Sequence, residues 1–211
     1  MRTRIKFCGL TQVDDARAAA DAGADAIGLV FHRPSPRHLN LDRAHAIAMA
    51  VPPFVARVAL FVDPAPEVVR QVLAACPIEV LQFHGNESAQ FCAQFGKPYL
   101  KAARVRRGLD LVEFGETYRG ASGLLLDAYV ADRVGGTGHA FDWSLIPVGL
   151  NRPIVLSGGL TIDSVRAAMN AVHCWAVDVS SGIEESPGVK DHTKMKMFAA
   201  AVRAAEKAAR D

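Results

Sequence analysis

Residues 4–11 read RIKFCGLT, and the twelve that follow, 12–23, read QVDDARAAADAG. Successive side chains of a strand point to opposite faces, so Arg4, Lys6 and Cys8 share one face of RIKFC and Ile5 and Phe7 share the other. The next stretch has helical period. Asp14 and Asp15 sit where a helix opens and Gly23 where one closes. A strand followed at once by an amphipathic helix is a β–α unit, and the apolar pair Ile5 and Phe7 should face that helix. Cys8 then points the other way, at the last position before the chain turns. The fold depends on how often this unit recurs.

It recurs along the whole chain. Strand-like runs follow at 25–31 (DAIGLVF), 55–62 (VARVALFV), 78–83 (IEVLQF), 97–102 (KPYLKA), 123–127 (GLLLD), 152–157 (RPIVLS) and 174–180 (CWAVDVS). Between them lie alanine-rich amphipathic segments such as PEVVRQVLAAC, TIDSVRAAMNAV and KDHTKMKMFAAAVRAAEKAA, the last with Asp191 near its start as a first-turn carboxylate. Several strands are near-continuous apolar runs, the pattern of parallel strands covered on both faces. Eight such units favour an α/β protein built as a single closed (β/α)8 TIM barrel over an open doubly wound sheet. The fifth and sixth units are weak: GLDLVEFGETYRG reads as one short helix and FDWSLIP as a turn or two. No linker or composition shift interrupts residues 1–211, so one domain, standing alone, is expected.

Composition narrows the function. The chain is 50% hydrophobic and 22% charged, with a formal net charge of +2 and no long like-charge run, which argues against a nucleic-acid partner or an anionic membrane surface. It shows no signal region or membrane span, so a cytoplasmic protein is expected. Cys8, Cys76, Cys92 and Cys174 lie far apart without CxxC spacing. Disulfides and a zinc site are therefore not expected, and each cysteine defaults to a small buried apolar residue.

Barrels of this kind work at the carboxyl ends of their strands. Cys8 ends the first, where a thiol serves as nucleophile or base if its pKa is lowered, or simply as packing. Arg37, in the loop FHRPSPRHLN after the second strand, can fork a carboxylate or phosphate, or be a solvated loop arginine. His84 ends the fourth strand and can be acid, base, hydrogen-bond donor or structural. Asp127 follows three leucines, a costly place for an unpaired carboxylate unless it has a task or caps a helix. The loop VGGTGHAFDW is a lid or a backbone-amide surface. The seventh and eighth strands end in LSGGL and DVSSGIEESPG. Adjacent loops there, with Gly158, Gly159, Ser181 and Gly182, suit a phosphorylated small molecule. Asp178 shares the inward parity of Ala176. A thiolate base facing a carboxylic acid beside a phosphate anchor suits moving a proton within a phosphorylated sugar.

The ordered set KFCGLT, SPRHL, QFHGNE, LLLDA, GGTGHAFDW, LSGGL and DVSSGIEESPGVKD closely resembles the phosphoribosylanthranilate isomerase family of tryptophan biosynthesis, along the whole chain. Phe7 and Leu10 are mild apolar variants of its first-strand motif, and His139 stands where a lysine often follows GGTG. The resemblance implies an Amadori rearrangement without metal, nucleotide or flavin. Asp127 matches the general acid, Cys8 the general base, Arg37 the holder of the anthranilate carboxylate, and the two glycine loops the phosphate clamp. His84 and Asp178 match positions near the substrate. A thiol of ordinary pKa, about 8.5, is mostly protonated at neutral pH, so Cys8 needs a stabilised thiolate. Lys6, one layer below on the same face, is expected to supply positive potential, and Asp127 to need a raised pKa. Other readings predict different residues. A histidine-pathway aminoaldose isomerase would carry an aspartate where Cys8 stands, and a pentose-phosphate epimerase would need metal-binding strand ends. A sensor that only binds phosphate would have lost the acid or the base. Monomer and homodimer both remain open; Met195, Met197 and Phe198 suit either barrel packing or a subunit contact.

Overall fold

In the computed structural model, which describes residues 2–128 and 142–208, eight parallel strands close into a barrel in sequence order. They are β1 (Arg4–Cys8), β2 (Ala26–Val30), β3 (Ala56–Phe61), β4 (Val80–Phe83), β5 (Tyr99–Val105), β6 (Gly123–Ala128), β7 (Ile154–Leu156) and β8 (Ala176–Val179). Helices α1 (Val13–Asp21), α2 (Leu41–Ala50), α3 (Pro66–Ala75), α4 (Ala89–Ala93), α5 (Leu111–Thr117), α6 (Val165–Ala171) and α7 (His192–Ala208) cover the outside. The fifth unit behaves as its sequence suggests, with a short α5, and the described residues before β7, from 142 on, include a 3-10 turn at Trp143–Leu145. The fifth strand departs from expectation. It starts two residues later than KPYLKA and runs through Ala103, Arg104 and Val105, which pair with Leu126, Asp127 and Ala128 of β6. Among the described residues no helix is long and apolar enough to cross a membrane.

Strand parity divides the barrel into two cores. Ile5, Phe7, Ile27, Leu29, Phe61, Phe83, Leu124, Leu126 and Val177 point outward and pack against the helices, all essentially inaccessible. Phe7 meets Phe198 of α7 edge-on at 6.2 Å, and Met195 and Phe198 are fully buried while Met197 is half exposed. The first two are therefore barrel packing. Inside, Ala102, Leu125, Val155 and Ala176 fill the lower barrel, and Cys8, Val30 and Leu60 form its mouth. Burying side chains of this size stabilises by roughly 1.5–3 kcal/mol each. That surplus lets a polar layer of Lys6, Gln82 and Asp178 survive between the two apolar ones.

Local signals explain several boundaries. Asn40 accepts a hydrogen bond from the Arg43 amide, Ser88 from Phe91 and Asp110 from Val112 and Glu113, so α2, α4 and α5 each start at a side-chain cap. Asp191 caps α7 by accepting from the amides of Thr193 and Lys194. Outside the barrel wall a buried ion pair ties two rim loops together. Lys101 Nζ lies 2.8 Å from Glu87 Oε2, and Glu87 in turn accepts from the amides of Asp63 and Gly85. After β8 the chain makes a small antiparallel hairpin, β9 (Glu184–Ser186) with β10 (Val189–Lys190), that the strand–helix pattern does not announce.

Candidate active site

A cleft opens at the carboxyl ends of the strands. Cys8, Arg37, His84, Asp127, Gly158, Gly159, Asp178 and Ser181 all line it. Gly182, expected at the phosphate loop, does not reach the cleft lining. A Cβ there would lie 2.0 Å from the Leu160 carbonyl oxygen, so this glycine lets the β8 loop press against the β7 loop. The segment GGTG (135–138) and the neighbouring His139 lie outside the described residues.

Two glycines make room at the end of β1, one for Cys8 and one for Arg37. Gly28 pairs with it across β1 and β2, and a Cβ at Gly28 would stand 2.6 Å from the thiol sulfur. Gly9 follows with φ of +74°, and a Cβ there would lie 2.3 Å from Cδ of Arg37, whose stem passes over the end of β1. The strand glycine thus seats the thiol, and the turn glycine seats the arginine above it.

Below the thiol, Lys6 donates to Asp178 Oδ1 at 2.7 Å, and Ser157 Oγ donates to Asp178 Oδ2 at 3.2 Å. Burial disfavours the Lys6 ammonium, yet the Asp178 carboxylate outweighs it and the pKa is pushed up. Burial pushes the Cys8 thiol up as well. Lys6 and Lys190 pull it down, Asp178 opposes them, and the net direction is upward. Lys6 therefore pulls the thiol down, and burial outweighs that pull. The lysine's charge is held mainly by the aspartate, and burial leaves the thiol above its ordinary value.

Across the cleft, Gln82 Nε2 lies 3.1 Å from His84 Nδ1, and His84 Nε2 lies 3.0 Å from Asp127 Oδ2. With the amide in this orientation, Nδ1 accepts from Gln82, so a neutral imidazole carries its proton on Nε2 and donates to Asp127. Gln82 itself is fully buried, and its Oε1 lacks a partner among the described residues. Gly158 and Gly159 have φ of +85° and +66°, two successive left-handed residues that turn the backbone beside Ser181. Arg37 is already engaged. Its Nε and Nη2 donate to Glu184 Oε1 and Oε2 at 2.7 and 2.6 Å, and Lys190 Nζ donates to the same Oε1 at 2.7 Å. Glu184, Lys190, Gln82, Ser157 and Gly28 were not singled out from the sequence. Only Gln82 left a signal there, an amide at an inward position of the apolar run IEVLQF.

By fold and site this is a (β/α)8-barrel protein that gathers ionisable side chains from several strand ends around one rim cleft. Residues 5–201 match the family model described as N-(5'phosphoribosyl)anthranilate (PRA) isomerase. An N-(5'-phosphoribosyl)anthranilate isomerase of Dechloromonas aromatica (strain RCB) is 58% identical over 206 residues, covering 98% of this chain and 99% of its own. The crystal structure of phosphoribosyl anthranilate isomerase from Thermotoga maritima superposes with a TM-score of 0.88 at 38% identity, covering 96% of this chain and 99% of its own. A phosphoribosyl anthranilate isomerase in complex with reduced 1-(o-carboxyphenylamino)-1-deoxyribulose 5-phosphate gives 0.85 at 37% identity, with the same coverage. The chain belongs to the N-(5'-phosphoribosyl)anthranilate isomerase family.

Proposed function

We propose that the protein isomerises N-(5-phosphoribosyl)anthranilate to 1-(2-carboxyphenylamino)-1-deoxyribulose 5-phosphate in tryptophan biosynthesis, by general acid–base catalysis at this cleft. The observation that carries the reading is the placing of Cys8 and Asp127, from β1 and β6, around one cavity beside the glycine turn of β7. Asp127 protonates the furanose ring oxygen, the C1′–O bond breaks, and the nitrogen lone pair forms the C1′–N double bond of a protonated Schiff base. The His84 Nε2–H meets the carboxylate that this transfer leaves. Cys8, as thiolate, then takes the C2′ proton. The C2′–H electrons form the C1′–C2′ double bond of an enolamine, which tautomerises to the ketose by moving the enol proton to C1′. The cationic Schiff base acidifies C2′, so the acid step prepares the base step.

Arg37 holds the anthranilate carboxylate, and the backbone around Gly158, Gly159 and Ser181 holds the phosphate, with Gly182 setting the distance between the two loops. Asp178 acts through Lys6 and Ser157, ordering the floor under Cys8. The whole chain works as one catalytic domain in the cytoplasm, as monomer or homodimer, without a cofactor. The test is turnover of freshly made substrate, read as loss of its fluorescence, for wild type, Cys8→Ser and Asp127→Asn. Both variants should lose about 10²–10⁴-fold in kcat while still binding product. A wild type inert on this substrate removes the activity assignment, and an active variant removes the role of its residue.

A further inference from the structure

The ion cluster behind Arg37 bears on how the substrate's carboxylate is recognised. Glu184 takes the Nε–H and one Nη2–H of Arg37 in a side-on fork of 2.7 and 2.6 Å. A guanidinium has five N–H donors in one plane, so the end-on edge formed by Nη1 and the outer hydrogen of Nη2 is left for a second carboxylate. Arg37 lines the cleft, whereas Glu184 and Lys190 do not and have side chains 5% and 0% exposed. Lys190 binds the same Glu184 carboxylate at 2.7 Å and also donates to the Ser180 carbonyl at 3.0 Å, at the end of β8. Two cations and one anion leave one positive charge. Arg37 with Glu184 alone would be neutral, and Lys190 restores the charge that one incoming carboxylate needs. Burial favours the protonated form of Glu184, yet its two cationic partners hold its carboxyl below the usual range, so it stays ionised at neutral pH. The hairpin is also braced from behind. Thr11 Oγ1 donates to the Gly188 carbonyl, and a Cβ on Gly188 would stand 2.9 Å from the Pro36 carbonyl, next to Arg37 itself.

We propose that Glu184 and Lys190 are positioning residues for carboxylate specificity: Glu184 fixes the guanidinium plane so that its end-on edge faces the cleft, and Lys190 keeps the cluster one charge positive. This rests on the reading of Arg37 as holder of the anthranilate carboxylate. The alternative is that Glu184 competes with the substrate for Arg37, and the two predict opposite signs.

The experiment compares N-(5-phosphoribosyl)anthranilate with the analogue made from aniline, which lacks the carboxylate, in Arg37→Ala, Glu184→Gln and Lys190→Met. Glu184→Gln should raise KM for the carboxylate substrate about tenfold or more, with a much smaller change in kcat, and leave KM for the aniline analogue within about twofold. Lys190→Met should act in the same direction, and Lys190→Arg should restore most of the loss. A lowered KM in Glu184→Gln makes Glu184 a competitor and overturns the proposal. Equal losses on both substrates make the cluster merely structural and overturn it too. Arg37→Ala separates the underlying reading: if it treats both substrates alike, Arg37 does not hold the carboxylate and both assignments fall together. If Glu184→Gln does not fold, the Lys190 pair of variants decides alone.

Discussion

Replacing Gly28 by alanine asks whether the position of the Cys8 thiol matters. Gly28 does not have positive φ, so the substitution carries no backbone strain and adds only a methyl group. That methyl would lie 2.6 Å from Cys8 Sγ, 3.0 Å from its Cα and 3.2 Å from its Cβ. Non-bonded heavy atoms rest at about 3.5–4.0 Å, so the thiol must retreat by about 1 Å and β1 must ease from β2 by several tenths. Overpacking of this size costs about 1–3 kcal/mol, which a domain stable by about 5–15 kcal/mol survives. A misplacement of about 1 Å costs about 10²-fold in rate. The variant should therefore fold, bind product nearly as well as wild type, and turn over about a hundredfold more slowly. Fluorescence-followed turnover, product titration and a urea melt measure the three. A Gly28→Ala protein with kcat within a few-fold of wild type would show that the thiol tolerates displacement, and Cys8 as proton-abstracting base would be refuted.

Lys6→Met leaves Asp178 buried without its cation and should cost about 3–5 kcal/mol of stability. Lys6 is the largest influence pulling the thiol down, so the variant should also shift Cys8 titration further upward, and an unchanged titration would sink that role. In a Cys174→Ser background, alkylation of Cys8 should have its midpoint above the ordinary thiol value of about 8.5. Because the thiol's folded-state pKa is raised, the stability it contributes is complete below the free-thiol pKa and fades as pH climbs through the folded value. Urea midpoints should accordingly fall at alkaline pH more in wild type than in Cys8→Ala. Gln82→Leu removes the donor to His84 Nδ1 and frees the ring, so kcat should fall by part of the about 10²–10⁴-fold that general acid catalysis supplies. Nitrogen shifts of His84 in labelled protein should show a mixture of tautomers in that variant, and a single unchanged tautomer would argue against the role. Lys101→Met should cost about 3–5 kcal/mol, and adding Glu87→Leu should recover much of it, since the penalty is an unpaired buried charge.

What the sequence makes legible here is periodic, and what it hides is pairwise. Cys8 and Asp178 could be placed by strand parity, since a residue's face follows from counting by twos, and His84 and Asp127 by where the apolar run stops. The same count placed Lys6 beneath Cys8. It could not show that Lys6 and Asp178 are register partners on neighbouring strands, since β1 and β8 are joined only by barrel closure. For that reason the sequence shows the cation below the thiol but not the aspartate that shares it. The lysine's charge is spent on an aspartate read separately, and burial then decides the direction for the thiol. Arg37 repeats the lesson with Glu184, which lies far along the chain in a hairpin that breaks the strand–helix rhythm. Glycines mark the same boundary of legibility. Gly158 and Gly159 announce themselves as a pair, but Gly28 looks like any small strand residue until its partner is known to be Cys8. Its missing side chain is a property of the β1–β2 pair. A cysteine can end the first strand because the second leaves the space that its thiol fills.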